Sequence, residues 1–276
     1  MLGLGVSLSK QDYTVADYSD PSSIANLALW LGFNSGIASD EDSSGGSVSH
    51  STDAGNLTHN TKIHQWNDKS GNSNHAVQTS ATDKPRWDIT GNSGADIGGI
   101  KFPNNAKYMD LTSTIQLSGV FTIMVRARFI AAINSRAMVG NSSTDVLTII
   151  DSDKIQVLLG GAGTSNFEDT SATDIATGDA TKRQIITLSR DSSDRIKVYV
   201  NGGTAAGGWN NEQDDVDWDS AENHVDSDTF TISNVGSSAD DTQNHNGFLY
   251  DVLIYSKELT EAERKLNYDY LNAQTV

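Results

Sequence analysis

GFLYDVLIYSKELTEAERKLNYDYL, residues 247–271, carries two periodicities end to end. Phe248, Tyr250, Val252 and Ile254 alternate along one side of an extended segment, while Leu249, Leu253 and Tyr255 make its other side apolar as well. A strand apolar on both sides belongs in the middle of a sheet with cover above and below. Thr260-Glu261-Ala262-Glu263 then reads as a capping box, in which the Thr260 hydroxyl takes the Glu263 amide and the Glu263 side chain returns to Thr260. Ala262, Leu266 and Tyr270 follow at helical spacing, which predicts one short helix packed on the sheet by that stripe.

Outward from this anchor the pattern is period two. Phe121, Ile123, Val125, Ala127 and Phe129 alternate with Thr122, Met124, Arg126 and Arg128, which predicts a half-buried strand. Leu27, Leu29, Leu31 and Phe33 predict one shared face of a first strand. Ile196, Val198 and Val200 predict another strand, ending at the turn signal Asn201-Gly202. Shorter candidates are Phe230 with Ile232, Ile100–Phe102, Val146–Ile150, Ile155–Leu159 and Ile185–Ser189. Asp151–Asp153 and Asp191–Asp194 read as hairpin turns between them. Successive hairpins without intervening helices predict an antiparallel sandwich or jelly roll. Residues 35–61 and 202–228 read as long loops rich in Gly, Ser, Asn and Asp.

Two motifs resemble a known family. WNDKSGNSNHA, Trp66 to Ala76, is similar to the W-x-D-x-S-G-x-x-x-x-A element of bacterial and viral laminin-G-like jelly-roll domains. Lys84-Pro85-Arg86-Trp87 matches the Pro-bearing segment that follows it there, and Gly99–Phe102 the next short strand. The stretch Gly247 to Leu271 resembles the family's closing strand and helix. The resemblance implies an all-β, concanavalin A-like (LamG-like) jelly-roll β-sandwich with one short C-terminal helix, over residues 24–276, with residues 1–23 as an N-terminal arm. Such folds host lectins, hydrolases and structural modules alike. The start of the chain, MLGLGVSLS followed by Ile24 to Leu31, also resembles virion structural proteins of tailed phages, marine ones especially.

Composition narrows the function. The 276 residues carry 36 Asp and Glu against 19 Lys and Arg, a net charge of −17, and no cysteine. Such a surface repels nucleic acid and anionic lipid, and disulfides and thiolate metal sites are excluded. The first residues lack the basic start and apolar core of a signal peptide, which predicts folding in a host cytoplasm. No E-x-D-x-x-E strand, G-x-S-x-G elbow or H-E-x-x-H helix occurs, so a non-enzymatic protein is expected.

Three sets of residues stand out. Leu2, Leu4, Val6 and Leu8, spaced by two, form one side of an arm that docks on other virion proteins or on further copies of the chain, or belong to a frayed terminus. Trp209, Asn210, Asn211 and Trp218 could contact host-surface glycans, or pin a long loop to the sandwich. Asp215, Asp217 and Asp219, with Asp226 further on, offer alternating oxygens to calcium, or form a solvated acidic loop. Asp68, Ser70, Asn72 and Asn74 offer a similar oxygen set, which in turns more commonly bonds its own backbone. The leading expectation is a virion structural protein, a capsid decoration or fibre-type subunit. The alternative is a carbohydrate-binding lectin or adhesin module, with calcium as the one candidate cofactor.

Overall fold

The computed structural model describes residues 20–33, 36–40, 57, 59–88, 99–103, 107–130, 136–142, 145–149, 154–159, 163–168, 183–201, 211–212, 214–215, 228–237 and 244–274. At 40, 136, 142, 154, 163–168, 201, 211–212 and 214–215 it describes the backbone alone. The elements are β1 (Leu27–Gly32), β2 (Ile37–Asp40), β3 (Lys62–Trp66), β4 (Ala76–Val77), β5 (Arg86–Asp88), β6 (Gly99–Phe102), β7 (Met109–Leu117), β8 (Phe121–Phe129) and β9 (Arg136–Ser142). They continue with β10 (Asp145–Ile149), β11 (Lys154–Leu159), β12 (Gly163–Glu168), β13 (Gln184–Arg190), β14 (Ile196–Asn201), β15 (Asn211–Glu212), β16 (Asp214–Asp215), β17 (Phe230–Val235), β18 (Gly247–Tyr255) and helix α1 (Glu261–Ala273). A 3-10 turn, Pro21–Ser23, precedes β1.

Every pairing among these strands is antiparallel, and together they form one curled sheet. β18 is central, as its double-sided pattern predicts. β1 and β6 lie along one of its edges and β8 along the other, followed by β13, β14 and β15. From β6 the bonding turns through β5 and β3, then runs on through β4, β7, β17, β9, β10, β11, β12 and β16. The two halves face each other over a common core. Ile123 and Val125 of β8 and Val252 and Ile254 of β18 share it with Ile115 of β7, Ile232 of β17 and Leu147 of β10. Phe121 of β8 stacks on Phe230 of β17 with centroids 5.9 Å apart.

The outer side of the β8–β18 layer is covered too. Ile24, Trp30, Met124, Leu253, Tyr255, Leu259 and Leu271 form a second apolar cluster beneath α1. All nine residues of β8 are therefore buried, not the alternate half that its sequence predicts.

Three other expectations are corrected. A bulge in the β1–β18 pairing lies between Leu27 and Leu29. It inserts one residue and turns Leu27 to the helix side, whereas Leu29, Leu31 and Phe33 enter the main core. The capping box of α1 forms as read, with Thr260 Oγ1 accepting from the Glu263 amide and the Thr260 amide donating to Glu263 Oε2 at 2.9 Å. Its buried stripe is a different one. Asn267 and Leu271 face the sheet, while Ala262 and Leu266 are exposed. A buried polar atom fixes the rotation. The Tyr255 hydroxyl donates to the Pro21 carbonyl (3.1 Å) and shares its proton with Asn267 Oδ1 (3.2 Å). Apolar spacing alone could not reveal that Asn267 is an inward position. Parts of the expected long loops are strand: β2 lies in the first and pairs with β3 just beyond it, and in the second β15 and β16 pair with β14 and β12.

Candidate functional site

Most residues singled out in the sequence lie outside the described residues: Leu2, Leu4, Val6, Leu8, Trp209, Asn210, Trp218, Asp217, Asp219 and Asp226. Asn211 and Asp215 are described by backbone alone, opposite Val200 and Phe167 respectively.

The Trp66–Ala76 motif is fully described, and each of its letters has a structural task. Trp66 is buried and donates its indole N–H to the Gly32 carbonyl at 2.9 Å. Asp68 Oδ1 accepts from the amides of Trp30 (2.9 Å) and Ser70 (2.8 Å), and Oδ2 accepts from Ser70 Oγ (2.8 Å) and the Asn74 amide (2.9 Å). Asn72 and Asn74 donate back to the carbonyls of Leu27 and Ala28. Gly71 sits at φ +91°, where a side chain is strained, and Ala76 is buried. These side-chain groups tie the loop to β1, with the carboxylate committed to four donors. The backbone-bonding reading of this stretch is the one realised. Among the described residues no three His, Asp or Glu side chains converge on a common point that could hold a metal ion.

Two polar constellations emerge that sequence spacing does not show. The first is a string across β7, β17 and β9. Asn234 Nδ2 donates to Asp110 Oδ1 at 2.7 Å, although 124 positions separate them. Ser233 Oγ lies 2.6 Å from Asn234 Oδ1 and 2.7 Å from Asn141 Oδ1. A hydroxyl has one proton. The Asn234 amide is oriented by Asp110, so its oxygen and that of Asn141 both face the Ser233 hydroxyl, which serves one of them at a time. The four side chains form one continuous string from Asn141 to the Asp110 carboxylate. Asp110 is exposed, Ser233 and Asn141 are half-buried, and Asn234 is buried. A three-residue excess in β7, where the pairing jumps from Ile115 to Asp110 between Ile232 and Asn234, places the string at an irregularity of the sheet.

The second constellation is a buried charge centre under α1. Arg126 Nη1 lies 3.3 Å from Asp251 Oδ2, both side chains being 2% exposed. The guanidinium also donates to the Leu271 carbonyl and, at 3.2 Å, to that of Gln274, so a strand arginine closes the C-terminal end of the helix. It lies over the rings of Phe33 and Tyr250. Burial pushes the Asp251 carboxyl up to about 6, against the opposing pull of Arg126 and Lys69. Lys69 is held below its ordinary value by burial, and its ammonium stands 3.9 Å over the Trp30 ring. Tyr270, edge-on to the same ring, is pushed up to about 12 by burial, then by Asp20 and Asp251. This centre fastens the helix; its charges are spent inside the fold.

The fold is thus an antiparallel β-sandwich of the jelly-roll type with one covering helix. No protein-family model matches the chain, and no curated protein sequence matches it. Among solved structures it is similar to the binding domain of Paraclostridial Mosquitocidal Protein 1, at 14% identity over 91% of this chain and 53% of that one, with a TM-score of 0.49. It is similar also to Trypanosoma rangeli sialidase in complex with sialic acid, at 14% identity over 91% of this chain and 34% of that one, TM-score 0.47. A third is Ruminococcus gnavus IT-sialidase CBM40 bound to alpha2,3 sialyllactose, at 12% identity over 64% of this chain and 96% of that one, TM-score 0.37. The chain spans about half the length of the first of these and about a third of the second.

Proposed function

We propose that the chain is a non-catalytic binding module that recognises glycans through the Asn141–Ser233–Asn234–Asp110 string. The observation that carries this reading is the string itself, four polar side chains joined at 2.6–2.7 Å. Sugar hydroxyls both donate and accept, and they are held best by polar groups already fixed in orientation. Here three adjacent strands fix them, and Asp110 at the accepting end is exposed. The test is a glycan array probed with the full chain, with and without chelator. Asp110→Asn changes the exposed acceptor without changing its shape, and Asn141→Ala removes the opposite end of the string. Each is expected to weaken binding by about tenfold, the equivalent of ~1.4 kcal/mol. Both leave the unfolding midpoint nearly unchanged. Undiminished binding by both variants would sink the proposal. A loss on chelation would add calcium at Asp215, Asp217, Asp219 and Asp226 to it.

A second reading is attachment to a virion assembled in a host cytoplasm, with Leu2, Leu4, Val6 and Leu8 seated on other virion proteins or on further copies. The feature that favours it is the fixed root of the arm. Asp20 Oδ1 accepts from the Ser22 amide at 2.8 Å, and Pro21 is held by Tyr255, so the segment leaves the sandwich from a set point beside α1. Deleting residues 1–10 is expected to abolish incorporation into particles while leaving glycan binding intact. Normal incorporation of the shortened chain would end this reading.

A further inference from the structure

The chain has few cations, and the fold places four of them in one line. Across β3, β5, β6, β18 and β8 the register runs Lys62 opposite Arg86, Arg86 opposite Lys101, Lys101 opposite Phe248, and Phe248 opposite Arg128. Residues directly opposite in antiparallel strands project to the same side. Phe248 takes a cation from each neighbour, with Lys101 Nζ 5.7 Å and Arg128 Cζ 4.9 Å from its ring centroid. Arg128 is buried, Lys62 and Lys101 are half-buried, and Arg86 is exposed.

Like charges directly opposite one another destabilise a sheet. Lys62–Arg86 and Arg86–Lys101 are two such pairs in succession, in a chain whose net charge is −17. Among the described residues two acids stand beside the line: Asp40 of β2 is opposite Lys62 in the register, and Asp88 lies 2.9 Å from Lys101 Nζ and 3.1 Å from His59 Nδ1. Lys62 Nζ donates to the Ala81 carbonyl at 2.8 Å. Arg86 has no ion-pair partner among the described residues.

We infer that Lys62, Arg86 and Lys101 form a binding ridge for an acidic polysaccharide, a sugar chain bearing isolated carboxylate or sulfate groups. Neighbouring strands stand about 4.8 Å apart, so the ridge offers positive charge at steps comparable to one sugar unit. A thin chain with one charge per unit can meet these three strands alone. Nucleic acid or an anionic bilayer presents dense charge over a wider area, which the chain's net charge of −17 opposes. This inference rests on the glycan-binding reading and adds to it a separate, charge-selective contact.

The test uses the full chain with heparin as the sulfated probe, polygalacturonate as the carboxylated one, dextran as the neutral one, and single-stranded DNA. Binding of heparin, polygalacturonate or both is expected, weakening as salt rises, and the stronger of the two names the anionic group. Arg86→Glu is expected to reduce that binding by roughly tenfold or more, Arg86→Gln by less, and Arg86→Lys to retain most of it. Because Arg86 is exposed, the unfolding midpoints stay together, and Lys62→Gln provides an independent check. Equal affinity of wild type, Arg86→Glu and Lys62→Gln for the acidic sugars overturns the inference, as does tighter binding of DNA than of either polysaccharide. If neutral glycans bind and acidic ones gain nothing, the ridge alone fails; if no glycan binds at all, the proposed function fails with it.

Discussion

Replacing Arg126 by methionine is expected to cost about 3–5 kcal/mol of folding stability at neutral pH, the largest effect of any charge substitution in the chain. Methionine fills much of the same space but removes three polar contacts at once. Asp251 is left without its closest cation, and the carbonyls of Leu271 and Gln274 at the end of α1 lose their donor. The pH dependence distinguishes this mechanism from a simple loss of packing. The folded Asp251 carboxyl titrates at about 6, above its ordinary value, chiefly because it is buried. A raised carboxyl contributes stability that is fully present below its unfolded value and is lost as pH rises through the folded one. Without Arg126 the buried carboxylate is harder still to ionise. The penalty therefore grows above that pH and shrinks below it, where Asp251 is neutral in both proteins. Urea unfolding of the two proteins at about pH 5 and about pH 8 reads the difference directly. The same penalty at both would rule out Asp251 as its source.

The second large effect is expected at Asp68. Asp68→Ala should cost about 4 kcal/mol, because the amides of Trp30, Ser70 and Asn74 and the Ser70 hydroxyl all lose their acceptor. Asp68→Asn keeps the shape but turns an N–H toward the Asn74 amide. It should fall between the two, at about 2 kcal/mol. Thermal unfolding with and without added calcium is the measurement. A wild-type midpoint that rises with calcium, while Asp68→Ala does not respond, would return this loop to the metal-binding reading.

The elements easiest to read are those whose signal is local. β18 is apolar on both sides in sequence and buried throughout, Ile196 and Val198 of β14 are buried as their spacing predicts, and the Thr260 cap is a local event within four residues. β7 was missed because its pattern is broken. Met109 and Leu111 are buried at one end and Ile115 and Leu117 at the other, with three exposed residues between them. The helix was read in the right place with the wrong face, since a hydrogen bond to Tyr255 makes Asn267 an inward residue. The two proposed surfaces were harder to see for a different reason. Asp110, Asn141 and Asn234, like Lys62, Arg86 and Lys101, are ordinary polar residues until strand register sets them side by side. Register is a property of the assembled sheet and is not written in any one segment. The Trp66–Ala76 motif lies between these cases. Its letters marked the fold correctly, while its oxygens, which could equally have suited a cation, serve the backbone of β1.

The central place of β18 also sets a schedule. Its residues bond to β1 on one side, with Leu27 opposite Tyr255, and to β8 on the other. The middle of the sandwich is therefore filled by a strand made after all the other described strands. Until then the nascent chain holds β1 and β8 with unpaired edges and apolar side chains that have nothing to cover them. Contacts so distant in sequence close slowly, and an open edge of this kind invites pairing with another unfinished copy. The yield of native protein should accordingly depend on how quickly residues 247–255 follow β8, and on whether a chaperone shields the gap while they do.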